Sequence, residues 1–169
     1  MTVVFAVLII LILIFGVVVF RGAPYVPSVK KYAARAFDEL HPLTDQDVVV
    51  DVGSGDGVIL RLAAEKGARA VGYELNPILV AISKLLSKGS PRIQTHLADF
   101  WLVTLPAETT VVYAFSVGRD MKKLADKMQQ TADSAGHAIH LITYGHTIDT
   151  IEPKKKTSSH HLYVFTPKA

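Results

Sequence analysis

The sequence predicts an α/β domain on a doubly wound, mostly parallel sheet, preceded by one N-terminal transmembrane helix. Three observations carry that expectation. Short, continuous apolar runs such as Val48–Val52 alternate with helical stretches, as buried parallel strands alternate with crossover helices. A glycine-rich turn, Gly53-Ser-Gly-Asp-Gly57, follows the first such run and opens a helix. Ahead of both stands Val3–Phe20, eighteen residues without a charge or a proline.

That apolar segment sets the organisation. Of the first 22 residues, 18 are apolar. As a helix, Val3–Phe20 would reach about 27 Å, near the ~30 Å bilayer core. Its Leu, Ile, Val and Phe residues favour insertion by roughly 5 to 10 kcal/mol in sum. A buried core helix would show a polar stripe, and none is visible. A cleaved signal peptide would have a basic lead and a shorter apolar run. Arg21, Lys30, Lys31 and Arg35 all follow the segment. The positive-inside rule therefore predicts a single-pass protein whose C-terminal domain is cytoplasmic. The expected division is an anchor over 1–22, a linker and lead-in helix over 23–46, and the α/β domain over 47–169. With 169 residues, no cysteine and a net charge of +3, a disulfide scaffold or thiolate zinc site is excluded.

The elements follow in order. Gly22–Pro27 is a stiff linker, because proline restricts itself and its predecessor. Ser28 caps a helix to about Leu40, with Val29, Tyr32, Ala33, Ala36, Phe37 and Leu40 as its apolar face. Strands are expected at Val48–Val52, Arg69–Glu74, Ile93–Ala98, Thr110–Phe115, His137–Tyr144 and His161–Phe165. Helices are expected at Val58–Lys66, Pro77–Ser87 and Met121–Ala132, with Pro77 suited to a first turn. The stretch Asp149–Ser159, with Pro153 and Lys154–Lys156, reads as a mobile loop.

In such a sheet the ligand crevice lies at the carboxyl ends of the strands. There the sequence places Asp51-Val-Gly-Ser-Gly-Asp-Gly57, with Gly53, Ser54, Gly55, Asp56 and Gly57 forming the turn. The glycines permit positive φ and close approach of a ligand. The spacing is not the G-x-G-x-x-G that seats a pyrophosphate, and Asp51 and Asp56 would repel one. A cationic nucleoside without phosphates, S-adenosylmethionine, fits better than a dinucleotide. A tight structural turn is the plainer alternative. Two more acids weigh against it. Glu74 ends the second strand, followed by Leu75 and Asn76, and can take both ribose hydroxyls. Asp99 ends the third and can accept from an adenine amino group, with Phe100 or Trp101 flanking the ring. Buried acids without partners are costly, so a ligand rich in donors accounts for all three.

Tyr25-Val-Pro-Ser28, Val50-Asp-Val-Gly-Ser-Gly-Asp-Gly57, Gly72-Tyr-Glu-Leu-Asn-Pro77 and Ala98-Asp-Phe-Trp101 together resemble class I, Rossmann-like methyltransferases of one kind. These are the membrane-anchored protein-lysine methyltransferases of the ATP synthase c-subunit and the adenine nucleotide translocator; an archaeal protein-lysine methyltransferase is similar. The resemblance implies that Asp51, Gly53, Gly55 and Glu74 hold the cofactor and that Asn76 shapes its pocket. It also implies that Asp99 meets the adenine and that Tyr25–Ser28 lies over the cofactor as a lid. The implied acceptor is lysine in a membrane-associated protein.

Methyl transfer from a sulfonium is an in-line displacement that needs positioning and desolvation, not a metal. Tyr25, Tyr113 and Asp120 are the candidates for contact with the acceptor amine. The segment after the fourth strand lacks an Asn/Asp-Pro-Pro-Tyr motif, which argues against planar nitrogen acceptors. Neighbouring His160 and His161 point to opposite faces of a strand, so no metal site is expected. The modest charge and the lack of a basic–aromatic stripe argue against nucleic acid. Lys154–Lys156 reads as a solvated loop, with attraction to anionic lipid as its rival. Two alternatives stay open: a quinone or lipid acceptor, or a cofactor-binding domain without activity. The absence of Tyr-x-x-x-Lys disfavours a short-chain dehydrogenase.

Overall fold

A computed structural model describes Val4, Phe5, Ile9, 30–115 and 118–168. Among these residues no helix is long and apolar enough to cross a membrane. The expected span over 3–20 lies, apart from Val4, Phe5 and Ile9, outside the described residues, as do Tyr25 and Ser28.

The elements are α1 (Lys30–Glu39), β1 (Val48–Val52), α2 (Val58–Glu65), β2 (Arg69–Glu74), α3 (Pro77–Leu86), β3 (Ile93–Leu97), β4 (Val111–Ala114), α4 (Met121–Ala135), β5 (Ile139–Tyr144), β6 (Lys155–Lys156) and β7 (His160–Phe165). Short 3₁₀ turns stand at Phe100–Leu102 and Gly118–Asp120. Among the described residues the sheet has seven strands in the order β3-β2-β1-β4-β5-β7-β6. β1 to β5 run parallel, while β7 is antiparallel to β5 and β6 to β7. Chain order reverses at β1, which lies between β2 and β4. That switch point opens a crevice beyond the strand ends.

Two apolar layers cover the two faces. On one, Ala33, Ala36 and Phe37 of α1 and Ile59, Leu60 and Ala63 of α2 pack on Val49, Val111 and Ile142. On the other, Leu124, Met128 and Ala132 of α4 pack on Val50, Val112 and Leu141. The central strands are therefore largely apolar on both faces, which is why β4, and β1 apart from Asp51, read as apolar runs.

Four expectations from the sequence need adjustment. Tyr32 lies on the solvent side of α1 at 46% exposure, not on its buried face. α4 continues to Ala135 and stops at Gly136, whose φ of 73° ends the helix. β5 begins at Ile139; His137 instead brings Nε2 within 2.9 Å of the Thr109 carbonyl. Inside the expected loop, Lys155–Lys156 forms an edge strand on β7, with the Lys154 amide donating to the Leu162 carbonyl at 2.7 Å. A lone pair of lysines carries no strand signal; the exposed ladder of β7 supplies one. Charged side chains on such an edge also discourage pairing with other chains.

Candidate cofactor and acceptor site

The first half of the site is built by β1, β2 and the turn between β1 and α2. Gly53, Gly55 and Gly57 take φ of 70°, 54° and 82°. The turn folds back on β2, where the Gly53 and Ser54 amides donate to the Tyr73 carbonyl at 3.0 and 3.1 Å. Gly72 makes that approach possible: a Cβ there would fall 2.5 Å from Ser54 Oγ. A glycine inside a strand signals close approach of another backbone, and that signal at Gly72 was there to be read in the sequence. Gly53 and Gly57 have different roles. A Cβ on Gly53 would meet open space, whereas one on Gly57 would lie 2.3 Å from Ser83 Oγ of α3. Gly53 leaves room for a ligand; Gly57 lets α2 and α3 pack.

Glu74, at the end of β2, locks the turn in place. One oxygen accepts from the Gly55 amide at 2.9 Å and the other from the Asn76 amide at 2.7 Å. Asn76 caps α3, accepting from the Ile78 amide at 2.9 Å. Leu75, between them, is half-buried. Asp51 is buried beneath the turn, and no donor to its carboxylate stands among the described residues. Burial, with Glu74 and Asp56 nearby, pushes its pKa up to about 8. Asp56 itself is partly balanced by Arg61, whose Nη2 lies 3.3 Å away. Ser54 Oγ is buried without a hydrogen-bond partner among the described residues.

Asp99, just beyond β3, caps the 3₁₀ turn by accepting from the Trp101 amide at 2.9 Å through one oxygen. Phe100, expected beside an adenine ring, instead enters the core at 4% exposure, edge-on to Trp101 with Lys127 over its ring. Trp101, the other candidate, is partly buried against the same core, with Lys123 over its ring. The 3₁₀ turn rotates the Phe100 side chain inward, and a lone Asp-Phe-Trp string does not reveal that turn.

The second half gathers at the ends of β4 and β5. Tyr113 is 1% exposed, and its hydroxyl lies 2.9 Å from His160 Nε2. This places it inside the core rather than open to an acceptor. Burial depresses the His160 pKa to about 4, so the ring is neutral at physiological pH. Above this pair, Phe115 and Tyr144 meet edge-to-face with centroids 4.7 Å apart, and Tyr144 meets His160 at 4.8 Å. No sequence motif singles out Phe115 or Tyr144. Their signal is period two, which puts 113 and 115 on one face of one strand and 142 and 144 on one face of another. Asp120 is half-buried at the head of α4 with Arg119 Nε at 3.6 Å. A Cβ on Gly118 would lie 3.5 Å from the His146 ring, so the segments after β4 and β5 adjoin.

An uncompensated buried carboxylate, an orphaned hydroxyl and an open space above Gly53 together suit a ligand with a cationic group and hydroxyl donors. The residues present thus fit an aminoacyl nucleoside of the kind expected. Comparison with known proteins agrees. An RNA methyltransferase from Salinibacter ruber, solved with S-adenosyl-L-homocysteine, superposes with a TM-score of 0.77. It is 22% identical, and the match covers 85% of this chain and 96% of that one; the likeness is one of fold. The ATP synthase c-subunit lysine N-methyltransferase of Xenopus laevis is 35% identical over 119 residues, 69% of this chain and 51% of the relative. The adenine nucleotide translocase lysine N-methyltransferase of Mus musculus is 39% identical over 85 residues, 48% of this chain and 37% of the relative. This chain spans about half the length of the curated relatives it matches first. The ANTKMT methyltransferase domain family matches residues 51–155, from the first crevice acid to the start of β6, and the chain belongs to that family.

Proposed function

We propose that this protein is an S-adenosylmethionine-dependent protein-lysine N-methyltransferase acting on a membrane-associated protein. In this reading Val3–Phe20 anchors it in the bilayer as a single span, with the catalytic domain on the cytoplasmic side. The observation that carries the proposal is the acidic cradle of Asp51, Ser54 and Glu74 at the switch point, in which Asp51 and Ser54 Oγ lack donors among the described residues, beside open backbone at Gly53.

The cofactor supplies a methyl group on a sulfonium. Asp51 meets the cationic aminoacyl end, and the free valences of Glu74 accept from the ribose hydroxyls. Asp99, with one oxygen committed to its turn, offers the other to the adenine amino group. Gly53, Ser54, Gly55, Asp56 and Gly57 form the turn under the aminoacyl chain, while Leu75 and Asn76 wall the ribose. An acceptor lysine must shed a proton, at a cost of about 4.6 kcal/mol from pKa ~10.4 to pH 7. A desolvating approach along the joined rings of Phe115 and Tyr144 lowers that cost, because burial disfavours the ammonium. Asp120, in this reading, is the carboxylate that steers or deprotonates the amine. Tyr25 stands outside the described residues and keeps its expected role as part of the lid. Tyr113 supports this wall through His160.

The test incubates the full-length protein with methyl-labelled cofactor and a membrane fraction. Label on lysine in a protein band supports the proposal. Label that leaves with organic solvent instead identifies a hydrophobic small-molecule acceptor, which an apolar anchor would serve equally well. Cofactor binding without transfer to any fraction identifies a non-catalytic domain.

A further inference from the structure

α3 differs from the other helices in what it leaves in water. Val80 and Ser83 face the sheet, with Ser83 Oγ 2.9 Å from Thr95 Oγ1 of β3. Ile78, Ile82 and Leu85 recur at helical spacing on the opposite side and are 41%, 39% and 70% exposed; Leu86 beside them is 53% exposed. Large aliphatic side chains gathered on one exposed helix face mark an interaction surface. The chemistry around them is one-sided. From Leu75 to Ala98 the chain has no acid, and three bases, Lys84, Lys88 and Arg92. Neither Lys84 nor Lys88 meets an acid within ion-pair distance among the described residues.

We propose that α3 lies on the surface of an anionic lipid bilayer, with Ile78, Ile82 and Leu85 entering the acyl boundary and Lys84 and Lys88 meeting lipid phosphates. An apolar helix face bordered by lysines, with no acid, has the composition of an interfacial helix. A second copy docked through the same face would set lysines against lysines, since that face offers no acid in return. The chain's own apolar segment could cover the aliphatic side chains but would leave both lysines without anions. The placement has a consequence for the site. Asn76, which caps α3 and donates to Glu74, is two residues from Ile78. A helix resting on the bilayer therefore brings the crevice within one turn of the headgroups, where a lysine at the end of a membrane-embedded segment would stand. The proposal shares with the functional reading only the anchor over 3–20; it does not depend on methyl transfer.

The protein has no cysteine, so single Ile82→Cys, Leu85→Cys and Asp126→Cys variants can each carry one nitroxide. The full-length protein is reconstituted in vesicles of phosphatidylcholine with and without 30% phosphatidylserine, then floated and read by electron paramagnetic resonance. Expected is high oxygen and low polar-relaxant accessibility at 82 and 85, strengthened by phosphatidylserine, with position 126 in water. Lys84→Glu with Lys88→Glu should reduce the immersed fraction about fivefold per charge. Floated protein with 82 and 85 in water overturns the proposal and leaves the anchor standing. Protein that fails to float overturns both. Spin–spin broadening at 82 overturns it in favour of a second copy, and protection from both relaxants in favour of the chain's own segment.

Discussion

On one side of the switch point, Asp51 is the penultimate residue of β1, Glu74 ends β2 and Asp99 follows β3, each within two residues of the strand end that aims it. On the other side, β4 and β5 contribute aromatic side chains whose partners are remote in sequence. Tyr113 bonds His160, 47 residues away, and Phe115 meets Tyr144. The cofactor half is thus assembled from local devices: a turn, a strand end and a helix cap. The acceptor half is assembled from strand register. In the first, Glu74 and Asp99 each brace a neighbouring turn or cap while Asp51 has no donor among the described residues; in the second, hydroxyl and ring are spent on one another, leaving a wall.

The largest expected effect separates the halves by affinity. Glu74→Ala removes an acceptor for two backbone amides and, in the proposed site, for the ribose hydroxyls. Charge-assisted bonds at about 2 kcal/mol each give a loss of roughly 1,000-fold in S-adenosylhomocysteine affinity. Calorimetry reads it, and an unchanged affinity would place the nucleoside elsewhere.

The next effect is in pH. With its pKa near 8, Asp51 is protonated at neutral pH and must ionise to meet a cationic ligand. Affinity should rise about tenfold per pH unit up to about 8 and then level off, because each step of pKa mismatch carries 1.36 kcal/mol. Asp51→Asn should flatten the profile; a slope that survives in the variant would assign it to another group.

Within the turn itself, Gly57→Ala should cost about 2 kcal/mol of stability, from a strained positive φ and displacement of Ser83. Its effect on affinity should stay within a few-fold. Adding Ser83→Ala should return part of the stability in a denaturant titration. Loss of affinity at unchanged stability would instead make Gly57 a ligand-facing residue like Gly53.

The smallest effect belongs to the other half. Tyr113→Phe breaks one buried hydrogen bond to His160 and should cost about 1 kcal/mol, with turnover within about twofold. A large fall in turnover at unchanged stability would return the Tyr113 hydroxyl to the acceptor.

Most of the cofactor half was legible because its determinants are local. A strand run, a glycine turn with positive φ and an acid at the strand end all sit within the 26 residues from Asp51 to Asn76. Phe100 shows where locality fails: the same Asp-Phe-Trp string fits a ring-stacking or a core phenylalanine, and only the 3₁₀ turn decides. β6 shows it again, since Lys155–Lys156 pairs because β7 offers an open edge. Tyr113 read as a candidate for contact with the acceptor amine because His160, which its hydroxyl meets, lies on a strand whose antiparallel placement no local pattern announces.

The amino-acid sequence alone determined that strands and helices alternate, that three acids mark the crevice end of the sheet, and that an uncharged apolar segment leads the chain. Those properties come from side-chain period, backbone freedom and charge, which act over one or two turns or strands. Tertiary structure decided which side chains found partners: Glu74 and Tyr113 did, while the Asp51 carboxylate and Ser54 Oγ found none among the described residues. It also decided that α3 kept its aliphatic face in solvent. Partnership and exposure depend on what packs opposite, and strand order sets that across distances in sequence that no local pattern spans.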